Sequence, residues 1–392
     1  MFIGNKHSQG VDFATIKKTV IVFGIGKLGG PVVDALALLH PHHRYVLVSR
    51  NAERSALRAN LVRYLAAQKG YYPEVLGDET DLLDFGRTAE LIQRHQPDVV
   101  FNATTPFPWW KIDDLPERER ILSSRAGPGM WCALDCLLPM SLTNALIEAG
   151  TGAVHVNACY PDMTNAFLSG RIGAPRLGIG NISNLVPGLQ LGYAAKLDVS
   201  AKDISIQMVG HHYVSWNAPS DRGCPDAPYA LSVSHTDGQL NYLGPDDTPF
   251  EILRRNASRV RGLDGLRVTI GSAVNILDVL LGGTSRFLHS PGVNGLPGGY
   301  PIHLDSSGGV TLNLPTGLTE SQAIELNRHA QVLDGVLNVE PGKVRATPMA
   351  QEAYKKVVGV ELPEVTTKNV NCLSIDAIER IESRYNLGIK AR

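Results

Sequence analysis

The string Val20-Ile-Val-Phe-Gly24-Ile-Gly26-Lys27-Leu28-Gly29-Gly30 sets three glycines in the order G-x-G-x-x-G between an apolar, β-branched run and a helix-like one. That order constrains the chain strongly, because it suits the turn from a buried strand into a helix. A glycine at position 24 permits the tight turn, and one at 26 leaves the backbone open to an approaching anion. The glycine at 29 lets helix and strand pack closely, while the first helical amides face the anion. The string therefore predicts a dinucleotide-binding turn, with Gly24, Gly26, Lys27, Leu28 and Gly29 around a pyrophosphate. A glycine-rich turn of an α/β protein without a ligand is the plainer reading of the same residues.

Strand and helix patterns alternate on from that turn, with strands at 19–23, 44–48, 74–76 and 98–102 and helices at about 27–39, 54–69 and 85–95. This alternation predicts an α/β fold, a Rossmann-type doubly wound parallel sheet covered on both faces. Between 104 and 130 the periodicity fails in a Pro-rich, Trp-containing, charged stretch that reads as an insertion with the character of a lid. A helix at 134–149, strands at 153–158 and 176–179 and a helix at about 185–197 resume the pattern. Beyond 203, β-rich stretches at 204–216, 229–234 and 266–270 predict a second, α+β domain, and helices at about 320–330 and 375–385 close the chain. The division expected is 17–198 for the dinucleotide-binding domain with its insertion at about 105–130, 199–330 for a substrate or oligomerisation domain, and 331–392 for a tail whose helix packs back.

With 43% hydrophobic and 19% charged residues over 392 positions, the chain has a globular composition and length enough for two domains. A formal net charge of -1 gives no overall field for polyanions or anionic lipid, so neither nucleic acid nor a membrane surface is an expected partner. A small-molecule substrate is expected, and a homodimer is compatible with the composition. Five cysteines without a C-x-x-C pair argue against a disulfide framework, which points to the cytoplasm. Residues 1–18 lack an apolar core of the kind an export signal needs, and the apolar runs are of strand length, so neither an export signal nor a membrane span is expected.

The second strand ends in Ser49-Arg50-Asn51, where an NAD enzyme commonly carries an acid for the ribose. Ser49, Arg50 and Arg54 suit a 2′-phosphate instead, so NADP(H) is favoured over NAD(H); as solvated charges of a helix start, the two arginines would need no ligand. Asp81 reads either as an adenine contact or as a turn residue. Asn102, Ala103 and Thr104 end the fourth strand, on the side where open α/β sheets bind ligands, although Asn and Thr ahead of Pro106 also make an ordinary turn.

Taken with the glycine turn, Asp98-Val-Val-Phe-Asn-Ala-Thr-Thr-Pro-Phe, Ala145-Leu-Ile-Glu-Ala-Gly150, Val154-His-Val-Asn-Ala-Cys-Tyr160 and Gly178-Ile-Gly-Asn-Ile-Ser-Asn-Leu-Val-Pro187-Gly188 resemble the saccharopine dehydrogenase and reductase-like family. The resemblance covers roughly 18–195, and Asn157 departs from it by standing where an Asp is usual. It implies an NAD(P)-dependent oxidoreductase that reduces an imine or carbonyl on a small amino- or keto-acid-like substrate. A hydroxy-acid or sugar dehydrogenase and a non-catalytic dinucleotide-binding protein are the alternatives.

Hydride transfer also needs a group to manage one proton. His211 and His212, read as part of a strand, point to opposite faces so that one of them reaches the cleft, and His212 is preferred. Tyr160 is a second acid candidate or a packing residue. Asn181 reads as a substrate contact or a helix cap. Cys159 has no activating partner nearby in sequence and reads as core. His40, His42 and His43 suggest a metal but read better as cations at a helix C-terminus, so no metal site is expected. Trp109 and Trp110 would cover an apolar part of a ligand or, as reads better, anchor the insertion or make an oligomer contact, and Arg286 and His289 would meet a carboxylate or stay solvated.

Overall fold

The computed structural model describes residues 16–389 apart from 222, 225, 236 and 237. The reading of the opening segment falls almost wholly on residues 1–15, outside the described residues, and the tail's last three positions lie outside them too. The first half runs β1 (Thr19–Phe23), α1 (Gly29–Leu39), β2 (Arg44–Ser49), α2 (Ala52–Ala67), β3 (Glu74–Glu79), α3 (Phe85–His95), β4 (Val99–Asn102), α4 (Glu117–Ala126), α5 (Cys132–Ala149), β5 (Val154–Asn157), α6 (Pro161–Leu168), β6 (Leu177–Gly178) and α7 (Ile182–Leu197). Its six strands form one parallel sheet in the order β3-β2-β1-β4-β5-β6. The winding direction reverses between β1 and β4, which opens a crevice at the carboxyl ends of those strands.

Alternate side chains of β1 explain why its sequence is apolar throughout. Val20 and Val22 pack with Val33 and Leu36 of α1, whereas Ile21 and Phe23 pack with Ile92 of α3 and Leu142 of α5 on the opposite face. Among the described residues, one helical stretch, Pro128–Ala149, is long and apolar enough to cross a bilayer, longer than the strand-length apolar runs read from the sequence. Most of it is buried between the sheet and the C-terminal helices, as a core helix is.

The second half adds β7 (Ser205–Val209), α8 (His212–Asn217), β8 (Ala230–His235), β9 (Gly238–Leu243), α9 (Thr248–Asn256), α10 (Leu266–Leu280), β10 (Arg286–Pro291), β11 (Gly299–Leu304), β12 (Val310–Leu312), α11 (Glu320–Leu333), β13 (Val336–Glu340), β14 (Lys343–Ala346), α12 (Pro348–Val358), β15 (Val365–Thr366) and α13 (Val370–Tyr385). Its strands pair antiparallel in three sheets, β7-β8-β9, β10-β11-β12 and β13-β14-β15. Helix α13 buries Ala377, Ile378 and Ile381 in a core shared with α5, α6 and α12.

Two stretches differ from the sequence reading. Residues 266–270 open helix α10 rather than forming a strand: Ala273, Ile276, Leu277 and Leu280 recur at helical spacing and are buried, a period that a five-residue β-branched window hides. The strand read over 204–216 stops at Val209. Gly210 bridges to Gly299, and the chain turns at His211 into α8.

Candidate active site

The glycine turn has the three properties its spacing implies. Gly24 adopts φ +89°, and a Cβ there would lie 2.6 Å from the Ala103 carbonyl oxygen. A Cβ on Gly29 would lie 2.0 Å from the Gly24 carbonyl oxygen, while one on Gly26 would meet nothing within 4 Å. The turn is thus closed where it packs and open at the middle glycine. Leu28 precedes α1 without a side-chain cap; the Gly30 amide donates to the Gly26 carbonyl at 3.2 Å and Pro31 has no amide hydrogen. The open side at Gly26 fits the close approach a pyrophosphate would need.

Ser49 ends β2 with its hydroxyl engaged by Ser55 Oγ at 2.8 Å and by the Asn51 amide, which donates to it at 3.2 Å. Arg50 is exposed, and exposed Arg54 lines, with Ile25, Asn51 and Leu57, an open groove of about 520 Å³. Glu79 stands opposite Ser49 in the β2–β3 register, and its Oε2 accepts the Ala52 amide at 2.9 Å. The Asp81 carboxylate accepts the Leu83 amide at 3.0 Å and so holds its own turn. Beneath the crevice, Asn102 donates to Asn157 Oδ1 at 3.0 Å and accepts from the Thr104 hydroxyl at 2.6 Å, and Asn157 donates on to Thr164 Oγ1 at 2.8 Å. Asn157 can make this chain because its amide donates, as the Asp expected from the resemblance could not when ionised. Ala103 donates its amide to the Phe23 carbonyl at 2.8 Å, which seats the end of β4 against the glycine turn.

The histidine pair corrects the strand reading. Because the chain turns into α8, His211 and His212 do not point to opposite faces, and both reach one carboxylate. His212 Nδ1 lies 2.7 Å and His211 Nδ1 3.4 Å from Asp334 Oδ2. The Tyr160 hydroxyl donates to the same oxygen at 2.8 Å. Asp162, in the first turn of α6, accepts the His212 amide at 2.8 Å through Oδ1 and the Asn181 side chain through Oδ2. Tyr160 at φ 36° and Asn181 at φ 52° hold left-handed backbone that side-chain-bearing residues rarely adopt, and both converge on these two aspartates.

Burial alone would lower the His212 pKa, but the charge of Asp334 and its hydrogen bond outweigh it, and the pKa is raised. Burial likewise works against Asp334, yet the two imidazoles hold its carboxyl well below the usual range. Burial and then the charges of Asp334 and Asp162 push the Tyr160 phenol well up, which leaves it protonated and donating. Asp135, in the first turn of α5, is pushed up by burial to about 7. Cys159 donates to the Asp135 carbonyl at 3.4 Å, and burial drives its thiol well up. Among the described residues His212 Nε2 has no hydrogen-bond partner, and 19% of that side chain is exposed.

The insertion lies across this cluster. Trp109 meets Trp216 of α8 at 5.7 Å between centroids, Trp216 stacks on His212 at 6.1 Å, and Lys27 sits 5.5 Å from the Trp110 ring. The stretch therefore reaches from the glycine turn to the imidazole. Its far end is seated on the Asp334 turn: the Gly129 amide donates to the Asp334 carbonyl at 2.9 Å, and a Cβ on Gly129 would lie 2.2 Å from Gly335. Arg286 and His289 stand apart in β10, Arg286 paired with Asp278 and His289 Nε2 accepting the Met208 amide at 3.1 Å.

Sequence reasoning missed Asp334, Asp162 and Asp135. Asp334 follows a helix and precedes Gly335, which reads as an ordinary helix end, and 122 residues separate it from His212. Asp162 and Asp135 each read as a helix-start acid. Only the left-handed position at Tyr160 ahead of Pro161 hints at a constrained site, and that is a backbone property the sequence does not spell out.

No family model matches the chain, and no curated protein matches it. Solved structures do. The lactate dehydrogenase of Cryptosporidium parvum, complexed with lactic acid and nicotinamide adenine dinucleotide, is 17% identical over 81% of this chain and 98% of its own, with a TM-score of 0.51. Apo malate dehydrogenase from Picrophilus torridus is 14% identical over 87% of this chain and 99% of its own, with a TM-score of 0.54. The minor L-lactate dehydrogenase of Enterococcus mundtii is 12% identical over 80% and 95%, with a TM-score of 0.51. At these identities the likeness is one of fold, and the Rossmann-type α/β architecture is common to all. These matches give no support to the saccharopine dehydrogenase resemblance.

Proposed function

We propose that this chain is a nicotinamide-dinucleotide-dependent oxidoreductase interconverting a carbonyl and an alcohol on a small substrate. The observation that carries the reading is the His212–Asp334 pair at 2.7 Å, set just beyond the carboxyl end of β5 by Tyr160 and Asp162. With Nδ1–H donated to Asp334, His212 Nε2 is the nitrogen left to bond a substrate oxygen. Asp334 holds the imidazole in one tautomer and stabilises the imidazolium, which gives its Nε2 proton to an oxygen becoming an alkoxide; in the oxidative direction neutral Nε2 takes that proton. When bound, the dinucleotide supplies or accepts the hydride. Tyr160 keeps its proton on Asp334 and serves as a positioning residue. Asn181 orients Asp162, which in turn fixes the start of α8.

This pair also separates the two reductions. A carbonyl needs a proton on oxygen as hydride arrives, whereas a protonated imine takes hydride at carbon and needs none at that moment. A buried carboxylate that keeps an imidazole charged fits the carbonyl case, so we place the carbonyl–alcohol reading ahead of imine reduction. A small hydroxy acid of the kind bound in the Cryptosporidium structure is the substrate class to test first. For the cofactor, Arg50 and Arg54 support NADP(H) over NAD(H), since no acid ends β2 and the nearby Glu79 is occupied by the Ala52 amide.

The test begins with calorimetry of NADPH and NADH, followed by turnover of hydroxy acids, keto acids and sugars with and without an amine. His212→Gln should lower kcat by about 10²–10⁴-fold while nucleotide affinity stays unchanged. Turnover that depends on an amine would restore the imine reading. Tight nucleotide binding without turnover of any substrate would favour a non-catalytic binding protein.

A further inference from the structure

We infer that His40, His42 and His43 form a binding site for a borderline divalent cation such as Zn2+, on the face of the fold where α1 ends. One ring nitrogen from each of the three lies within 4.8 Å of the others. Proximity alone is common among surface histidines; here two of the rings are also held as metal ligands are held. His40 Nε2 is 2.7 Å from Asp278 Oδ1, and His43 Nε2 is 2.6 Å from the Leu281 carbonyl oxygen. A carbonyl accepts only, so His43 carries its proton on Nε2, and the Asp278 carboxylate fixes the same tautomer in His40. His40 then offers an Nδ1 lone pair, and His43 offers one once its Nδ1 gives up the Lys18 amide; in each ring the opposite N–H is anchored to a carboxylate or carbonyl, the arrangement that orients and strengthens imidazole ligands.

The remaining positions suit exchange with solvent. His42 is exposed, lies 3.9 Å from His43 between ring centroids, and has no hydrogen bond among the described residues. It can therefore turn toward the other two. Tetrahedral zinc with bonds of about 2.0–2.1 Å needs ligand nitrogens about 3.3 Å apart, so closing the site takes a rotation of the His42 ring and a shift of the segment at Lys18 away from His43 Nδ1. The buried His43 Nδ1 accepts a hydrogen bond from the Lys18 amide at 3.2 Å, which the cation must displace.

Local electrostatics favour a cation as well. His40 caps the C-terminal end of α1 and Leu281 that of α10, so the negative ends of two helix dipoles lie near this point. The Lys18 ammonium is nearby, but it is tied to the Leu280 and Ser306 carbonyls at 2.6 and 3.0 Å. A bound ion would join the end of α1 to the start of β2 and, through Asp278 and Leu281, to α10. Three imidazoles leave a fourth position for water or a further ligand.

Titrating tag-free protein with Zn2+ in a calorimeter should give one saturable equivalent and a raised Tm at saturation. His42→Ala, an exposed position that leaves the fold intact, should abolish that binding without changing the circular dichroism or nucleotide affinity. Asp278→Asn should weaken Zn2+ on the order of 10–100-fold. The inference is overturned if the wild type shows no saturable uptake, or if either variant binds Zn2+ as the wild type does.

Discussion

Replacing Asp334 by Asn keeps the shape beside His212 and removes the charge. The two side chains are 4% and 19% exposed and 2.7 Å apart, so solvent screens the pair little. A hydrogen bond to a charged group contributes about 1.5–3 kcal/mol, and one pKa unit corresponds to about 1.4 kcal/mol, so the imidazolium should lose about 1–2 units of its stabilisation. The sign follows from the direction of each shift. His212 has a folded pKa raised above 6.5, so its share of the stability is complete below that value and disappears as pH rises through the folded pKa. Asp334 has a depressed pKa, so its share is present above the ordinary carboxylate value and is lost as pH falls toward the depressed one. In Asp334→Asn both shares vanish. The midpoint of His212, followed by NMR at its Cε1–H and assigned with His212→Gln, should fall by about 1–2 units, and the alkaline limb of kcat/KM for reduction should move with it. A midpoint within ~0.3 units of the wild type would show that Asp334 does not govern the imidazole, and the proton-transfer assignment would be withdrawn.

Arg50→Asp should weaken NADPH by on the order of 10–100-fold and leave NADH nearly untouched, and equal losses measured by calorimetry would refute the 2′-phosphate contact. Gly26→Ala and Gly29→Ala separate binding from folding at the same turn. Gly26→Ala should stay within about 0.5 kcal/mol of wild-type stability yet lose nucleotide affinity, whereas Gly29→Ala, whose Cβ meets a backbone oxygen at 2.0 Å, should cost about 1–3 kcal/mol in urea unfolding. Gly129→Ala drives a Cβ to 2.2 Å from Gly335 and should shift the Asp334 turn, so His212 should titrate lower even though no charge has changed. An unaltered His212 midpoint in a folded Gly129→Ala protein would deny that the insertion positions the carboxylate.

What the sequence made legible was local. The glycine spacing, the two-sided apolar strands and the helix Phe85–His95 depend on neighbours within a few residues, and those elements lie where their patterns place them. The stretch 204–216 reads as one strand because a β-branched and aromatic run carries strand propensity on both sides of Gly210, and propensity does not register that Gly210 pairs with Gly299 and ends the strand. His212 was legible as a residue type but not as a site. What makes it a site is a carboxylate 122 residues away that it shares with Tyr160 and His211, brought there where the loop at Gly127 and Gly129 packs against the Asp334–Gly335 turn. Those glycines look like loop residues in sequence, and their missing side chains are what let two turns approach closely enough to bury Asp334 against an imidazole. Whatever chemistry occurs at His212 therefore depends on the close packing of a loop and a distant turn as much as on the imidazole itself.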